Sequence, residues 1–150
     1  MLTALHSMHF LTREGLRRFQ KEFNRLKEKR IEKVHEDAEG REDLDLIEKR
    51  MRDIAEILHS YELIKLPPKN KRDEVHLGAL VHVGRSDGRE VKVRLVGMHE
   101  SNPLSGRISH KSPLGQALFG CRVGDTVELG GGRGVAYTVR KIEYGSTRKV

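Results

Sequence analysis

The chain has 150 residues, of which 34% are charged and 5% aromatic, with no tryptophan and a formal net charge of +7. That length allows one ordinary domain or two small ones, and so many charges with so few aromatics exclude a single large globular core in favour of long solvated helices. A lone cysteine, Cys121, excludes an intramolecular disulfide framework and fits a reducing cytoplasm, and no apolar run is long enough for a membrane span.

Residues 1–11 read as an N-terminal tail without the basic and apolar segments of a secretory signal. Thr12 then caps a helix in which Leu16, Phe19, Phe23 and Leu26 repeat at 3-4-3 spacing, one side of a coiled coil. The seam fails at Arg30 and Lys33, and Ile31 and Val34 rejoin it only if the register shifts by one. After a break around Ala38-Glu39-Gly40-Arg41, a cleaner heptad runs through Leu44, Ile47, Met51, Ile54, Leu58 and Tyr61. Two helices within residues 12–65, joined by a short loop containing Gly40, predict an antiparallel coiled-coil hairpin. Neither stripe is broad enough to build a globular core, so the hairpin is expected to project from something larger.

Residues 66–74, with Pro67-Pro68 and a polar run, read as a linker. Residues 75–145 read as an α+β domain, with strands at Ala79–Val83, Glu90–Val96, Arg107–Ser109, Thr126–Leu129 and Gly134–Tyr144, and residues 146–150 as a tail. Ser86-Asp87-Gly88 and Gly130-Gly131-Gly132 mark turns. Val91, Val93 and Leu95 alternate with Lys92 and Arg94, so one sheet face is buried and the other basic. Ser112 is a good N-cap, Pro113 suits the first helical position, Leu114, Ala117 and Leu118 form one apolar stripe, and Gly120 supplies a stop. That short helix is expected to cover the apolar sheet face.

Charge is unevenly distributed. Arg13–Lys33 carries nine basic and four acidic residues, Glu36–Glu48 seven acids against Arg41 alone, and Val75–Val150 twelve basic and six acidic residues. Basic surfaces attract polyanions or acidic protein patches. Seven acids in thirteen residues repel one another unless a cation or a basic cavity receives them.

The string Ser109–Asp125, Ser-x-x-Ser-Pro followed by a small apolar helix and closed by Gly124-Asp125, closely resembles the C-terminal signature of the bacterial Gre transcript-cleavage factors. The opening Leu11–Leu16 and the tail Val139–Tyr144 are similar to that family too, so the resemblance covers nearly the whole chain. It implies a coiled-coil hairpin followed by an FKBP-like α+β domain, in a monomeric cytoplasmic transcription elongation factor. The C-terminal domain would bind RNA polymerase at the rim of its secondary channel through Ser109, Ser112, Pro113, Leu114, Gly115, Ala117 and Leu118. The hairpin would enter the channel, and tip carboxylates would help the polymerase's catalytic Mg²⁺ centre cleave backtracked RNA, the factor having no cofactor and no activity of its own. Glu42, Asp43 and Asp45 are the candidate tip acids, Asp43 and Glu42 the metal-binding pair. Arg17, Lys21 and Arg25 are the candidate basic face guiding the nascent RNA 3′ end.

Two departures from the family pattern keep a second reading open. Asp43-Leu44 matches the family's Gly-Asp-Leu-x-Glu-Asn tip, but Glu42 replaces its Gly and Leu46 its Glu. Each arm also aligns about two turns shorter than usual, which at roughly 1.5 Å per residue removes about 10–12 Å of reach. Shortened relatives of the Rnk type carry no cleavage tip, so the alternative is a non-cleaving regulator that occupies the channel or competes with cleavage factors.

Other chemistries find no support. Peptidyl-prolyl isomerase activity needs an aromatic-lined pocket, and this domain offers only Phe119, Tyr137 and Tyr144. The eight histidines are scattered without zinc-like spacing, and the triple glycine lacks the Lys-Ser/Thr of a phosphate loop.

Overall fold

The computed structural model describes residues 9–34, 38–131 and 134–145. Residues 1–8 of the predicted N-terminal tail, the predicted tail 146–150, the acids Glu36 and Asp37 and the turn residue Gly132 lie outside the described residues. The chain divides into a helical unit built on Arg13–Glu62 and a sheet unit comprising Phe10–Thr12 and the chain from Leu63 onward. Strand β1 spans His9–Leu11, helix α1 Arg13–Lys33, helix α2 Ala38–His59 and strand β2 Tyr61–Leu63.

In the helical unit, α1 and α2 pack against each other and run antiparallel. Lys33 meets Asp43 at 3.5 Å, and Glu22 meets Arg50 at 2.8 Å, so positions advance on one helix as they recede on the other. Phe19, Met51 and Ile54 are buried, and Leu16, Phe23, Leu26, Leu44, Ile47 and Leu58 half-buried, as the heptads require, while Ile57, one position before Leu58 and outside the predicted stripe, is buried as well. Glu22 holds the Arg50 guanidinium above its ordinary range. Ile31 and Val34 do not rejoin the seam: they are 70% and 56% exposed.

Two features differ from the sequence reading. Gly40 lies in the first turn of α2 rather than in the loop. The second heptad ends at His59, because Tyr61–Leu63 leaves the helix and pairs with His9–Leu11, residues that read as tail. The Ile64 N–H donates to the Leu11 carbonyl at 2.8 Å, just beyond that pairing.

The sheet unit holds β3 (Leu80–Arg85), β4 (Glu90–Val96), β5 (Arg107–Ser109), helix α3 (Pro113–Leu118), β6 (Thr126–Leu129) and β7 (Val135–Glu143). Their order in one five-stranded sheet is β5-β4-β3-β7-β6, antiparallel except for the parallel β4–β5 pair. The architecture is therefore α+β. Val81, Val83, Val93, Leu95, Ile108 and Val139 point to one face and form the core with Leu118 of α3. Burying a side chain such as Leu118, which is fully enclosed, contributes about 1.5–3 kcal/mol. The β3–β4 turn closes through Arg85 and Arg89, with Gly88 at φ +91° where side chains are disfavoured.

Both ends of the sheet unit are clasped. The Tyr144 hydroxyl donates to the Glu74 carbonyl and accepts the His76 N–H, while Arg122 reaches the Glu74 carboxylate at 2.8 Å and holds its pKa below the ordinary range. On β7, Lys141 at 2.8 Å and His82 at 3.0 Å hold the Glu143 carboxyl from its usual 4.5 down to about 2. A depressed carboxylate contributes its stabilisation fully above the unfolded pKa, near 4.5, and loses it as the pH falls through about 2. A ¹³C titration of this carboxyl is expected to show its midpoint near 2, and Lys141→Ala to move it back toward the usual carboxylate range.

Candidate functional site

The Ser109–Gly120 segment is built by local hydrogen bonding. The Ser109 carbonyl accepts both the Ser112 N–H at 3.0 Å and the Ser112 hydroxyl at 2.6 Å. The Ser112 oxygen in turn accepts the Gly115 N–H at 3.1 Å, the N-cap expected from the sequence. The Ser109 hydroxyl accepts the Lys111 N–H at 3.0 Å. Gly115 is required by proximity, since a Cβ there would stand 2.0 Å from the Ser109 carbonyl oxygen. Leu118 enters the core, with Leu114 packed against it. After α3, Gly120 at φ +82° turns the chain, and its N–H donates to the Val75 carbonyl at 2.8 Å.

The segment therefore has an inner and an outer half. Ser109, Gly115 and Leu118 are buried, and Ser112, Leu114 and Ala117 half-buried. Of the seven residues expected to dock polymerase, only Pro113 is exposed; Lys111, Gln116 and Phe119, which the signature did not single out, stand beside it in the exposed half. Phe119 is 49% exposed and its ring meets His76 edge-on at 5.4 Å. Helical spacing was the signal that could have found them, because Pro113 and Gln116 share a flank opposite Leu114 and Leu118.

The tip acids lie on the first two turns of α2. Glu42, Asp43 and Asp45 are all exposed, and Asp43 carries the Lys33 ion pair. At about 100° per residue, Glu42 and Asp45 share one flank while Asp43 turns away from them. Among the described residues no three His, Cys, Asp or Glu side chains gather as a metal site. Arg17, Lys21 and Arg25 are exposed at four-residue intervals along one flank of α1, and no helix among the described residues is long and apolar enough to cross a membrane.

Residues 69–144, which contain the whole of this docking segment and its sheet, match the family model for the C-terminal domain of transcription elongation factor GreA/GreB. The chain belongs to the GreA/GreB family. Similarity extends beyond that domain: transcription elongation factor GreA of Thermomicrobium roseum is 35% identical over 135 residues, covering 79% of this chain and 86% of that protein. The GreA of Zymomonas mobilis is 41% identical over 86 residues, covering 57% of this chain and 54% of its own length. Among solved structures, GreA factor homolog 1 of Thermus thermophilus is 24% identical with a TM-score of 0.44, covering 91% of this chain and 99% of that one.

The coverage figures also show a difference in length within the GreA/GreB family. Of the 135 positions aligned with the Thermomicrobium protein, 79% of 150 residues, about 119, come from this chain, so about 16 positions have no counterpart. The 86 positions aligned with the Zymomonas protein take 57% of the chain, also about 86 residues, and show no such deficit.

Proposed function

We propose that the chain is a transcription elongation factor that binds bacterial RNA polymerase at its secondary channel through the exposed half of the Ser109–Gly120 segment. It acts as a monomer in the cytoplasm, and its hairpin assists cleavage of backtracked RNA. The observation that carries this reading is a family signature folded against the sheet, its inner residues holding the segment's shape and Lys111, Pro113, Gln116 and Phe119 left for a partner. Aromatic side chains such as phenylalanine are enriched at the cores of protein interfaces. Burial of Met51 and Ile54 within one hairpin supports the monomer, since the heptad seam needs no second chain.

In this reading Glu42, Asp43 and Asp45 lend carboxylate oxygens to a second Mg²⁺ at the polymerase's active centre, which would polarise the scissile phosphate and its attacking water. The chain's own part is to hold those oxygens on a helix rather than a loop, while Arg17, Lys21 and Arg25 guide the extruded RNA 3′ end by backbone contacts.

Capture on immobilised core polymerase tests the docking. Wild type is expected to bind at micromolar concentration, and Phe119→Asp or Gln116→Asp to weaken capture roughly tenfold or more without moving the melting temperature by more than a few degrees. Wild type that fails to bind would overturn the proposal.

The non-cleaving regulator has an observation of its own in its favour. Two turns removed from each arm amount to about 14 residues, close to the 16 or so aligned positions that this chain lacks. A hairpin shortened on both arms would occupy the channel with its acids short of the metal.

A further inference from the structure

The outer face of the five-stranded sheet, opposite the core, carries cations that neither the docking segment nor the hairpin tip uses. Strand register places them side by side. Arg107 on β5 stands opposite Arg94 on β4, Lys92 on β4 opposite His82 on β3, and His82 opposite Lys141 on β7. Arg140 joins them where the β3–β7 register shifts: it lies across Gly84, where a Cβ would come within 2.7 Å of the arginine Nε. Because side chains alternate along a strand, burial of Val81, Val83, Val93 and Leu95 turns these groups outward. Lys92, Arg140 and Lys141 are exposed and Arg94, Arg107 and His82 half-buried, while Val96, two residues beyond Arg94 on the same side of β4, is fully buried and bounds the face at that end.

The acids on this face are few. Glu143 sits between His82 and Lys141, Glu90 reaches Arg140 only at 4.0 Å, and Glu128 stands on the far strand beyond the Thr126–Thr138 hydrogen bond. The Arg94 guanidinium donates to the Gly78 carbonyl at 2.9 Å, yet its charge stands beside that of Arg107 across the parallel β4–β5 pair, and neighbouring like charges repel. A polyanion laid on the face removes that repulsion.

We infer that this face binds the phosphate backbone of duplex DNA. Charge complementarity names a polyanion, and the missing side-chain types choose among polyanions. None of the large apolar side chains exposed among the described residues belongs to β3, β4, β5, β6 or β7. A protein interface centres on apolar and aromatic groups, and single-stranded nucleic acid needs aromatic platforms on which bases stack. A duplex keeps its bases stacked inside and lines its outer surface with phosphates, which a grid of lysines and arginines contacts without reading sequence.

The test is fluorescence anisotropy of the full chain with a labelled DNA duplex of about 25 base pairs over a series of salt concentrations. Wild type is expected to bind, with affinity falling steeply as salt rises. Lys92→Ser/Arg140→Ser/Lys141→Ser should lower the log–log salt slope by roughly 3, about 0.9 for each lost contact, and weaken binding at least tenfold, while Lys92→Arg/Lys141→Arg retains it. The serine variant should still be captured by core polymerase, which separates this surface from the docking segment. The inference is overturned if that variant binds duplex as wild type does, or if Arg17→Ala/Lys21→Ala/Arg25→Ala alone abolishes binding. Tighter binding of single-stranded RNA of equal length, or displacement of the DNA by polyglutamate more readily than by unlabelled duplex, overturns it equally.

Discussion

Gly115→Ala is expected to lower stability by about 3 kcal/mol, the upper end of the cost of inserting a methyl group into a filled space, and to abolish capture on polymerase. The new Cβ would stand 2.0 Å from the Ser109 carbonyl oxygen, closer than any packed pair of atoms. That oxygen cannot simply swing aside, because it accepts both the N–H and the hydroxyl of Ser112. Relief on the other side lifts α3 and draws Leu118 out of the core, where it is fully buried. Denaturation and polymerase capture measure the two consequences together. Gln116→Ala, on the exposed side of the same helix, is the control and should change stability by no more than about 0.5 kcal/mol. If Gly115→Ala matched that control, the inner half of the segment would not be holding the outer half in place.

Glu42→Ala/Asp43→Ala is expected to reduce stimulated cleavage in backtracked elongation complexes by roughly 10- to 100-fold, the range for losing groups that order a catalytic metal, with polymerase capture unchanged. Both side chains are exposed and, among the described residues, the ion pair lost is Lys33–Asp43 at 3.5 Å, so stability should fall by no more than about 1 kcal/mol. The assay needs labelled RNA, Mg²⁺ and halted complexes. RNA that is never shortened by wild type, together with displacement of an authentic cleavage factor, would decide for the non-cleaving regulator.

Much of the sheet unit was legible because its signals are local. The bounds of β4, β5 and β6 coincide with those read from alternation and turn residues, and Ser112 caps α3 as its side chain predicts. Strands β1 and β2 were not legible: three residues are too few for a period, and each exists only because the other, some fifty positions away, supplies its hydrogen bonds. Gly40 misled in the opposite way, a breaker by type that the first turn of α2 accommodates. The docking segment was outlined by its motif, yet the motif's serines bond inward, and the division into shaping and displayed residues emerged only from the fold.

The hydrogen bond from Ile64 to Leu11 means that the chain leaves the sheet unit and returns to it at almost the same point. The hairpin thus leaves from the short segment Phe10–Thr12 and returns at Leu63, both of which belong to the sheet unit. Equal deletions from both arms, made in whole helical turns, preserve the packing seam and leave both junctions untouched. Arm length can therefore drift over evolutionary time as an independent trait, with reach adjusted while the domain that carries the hairpin stays the same.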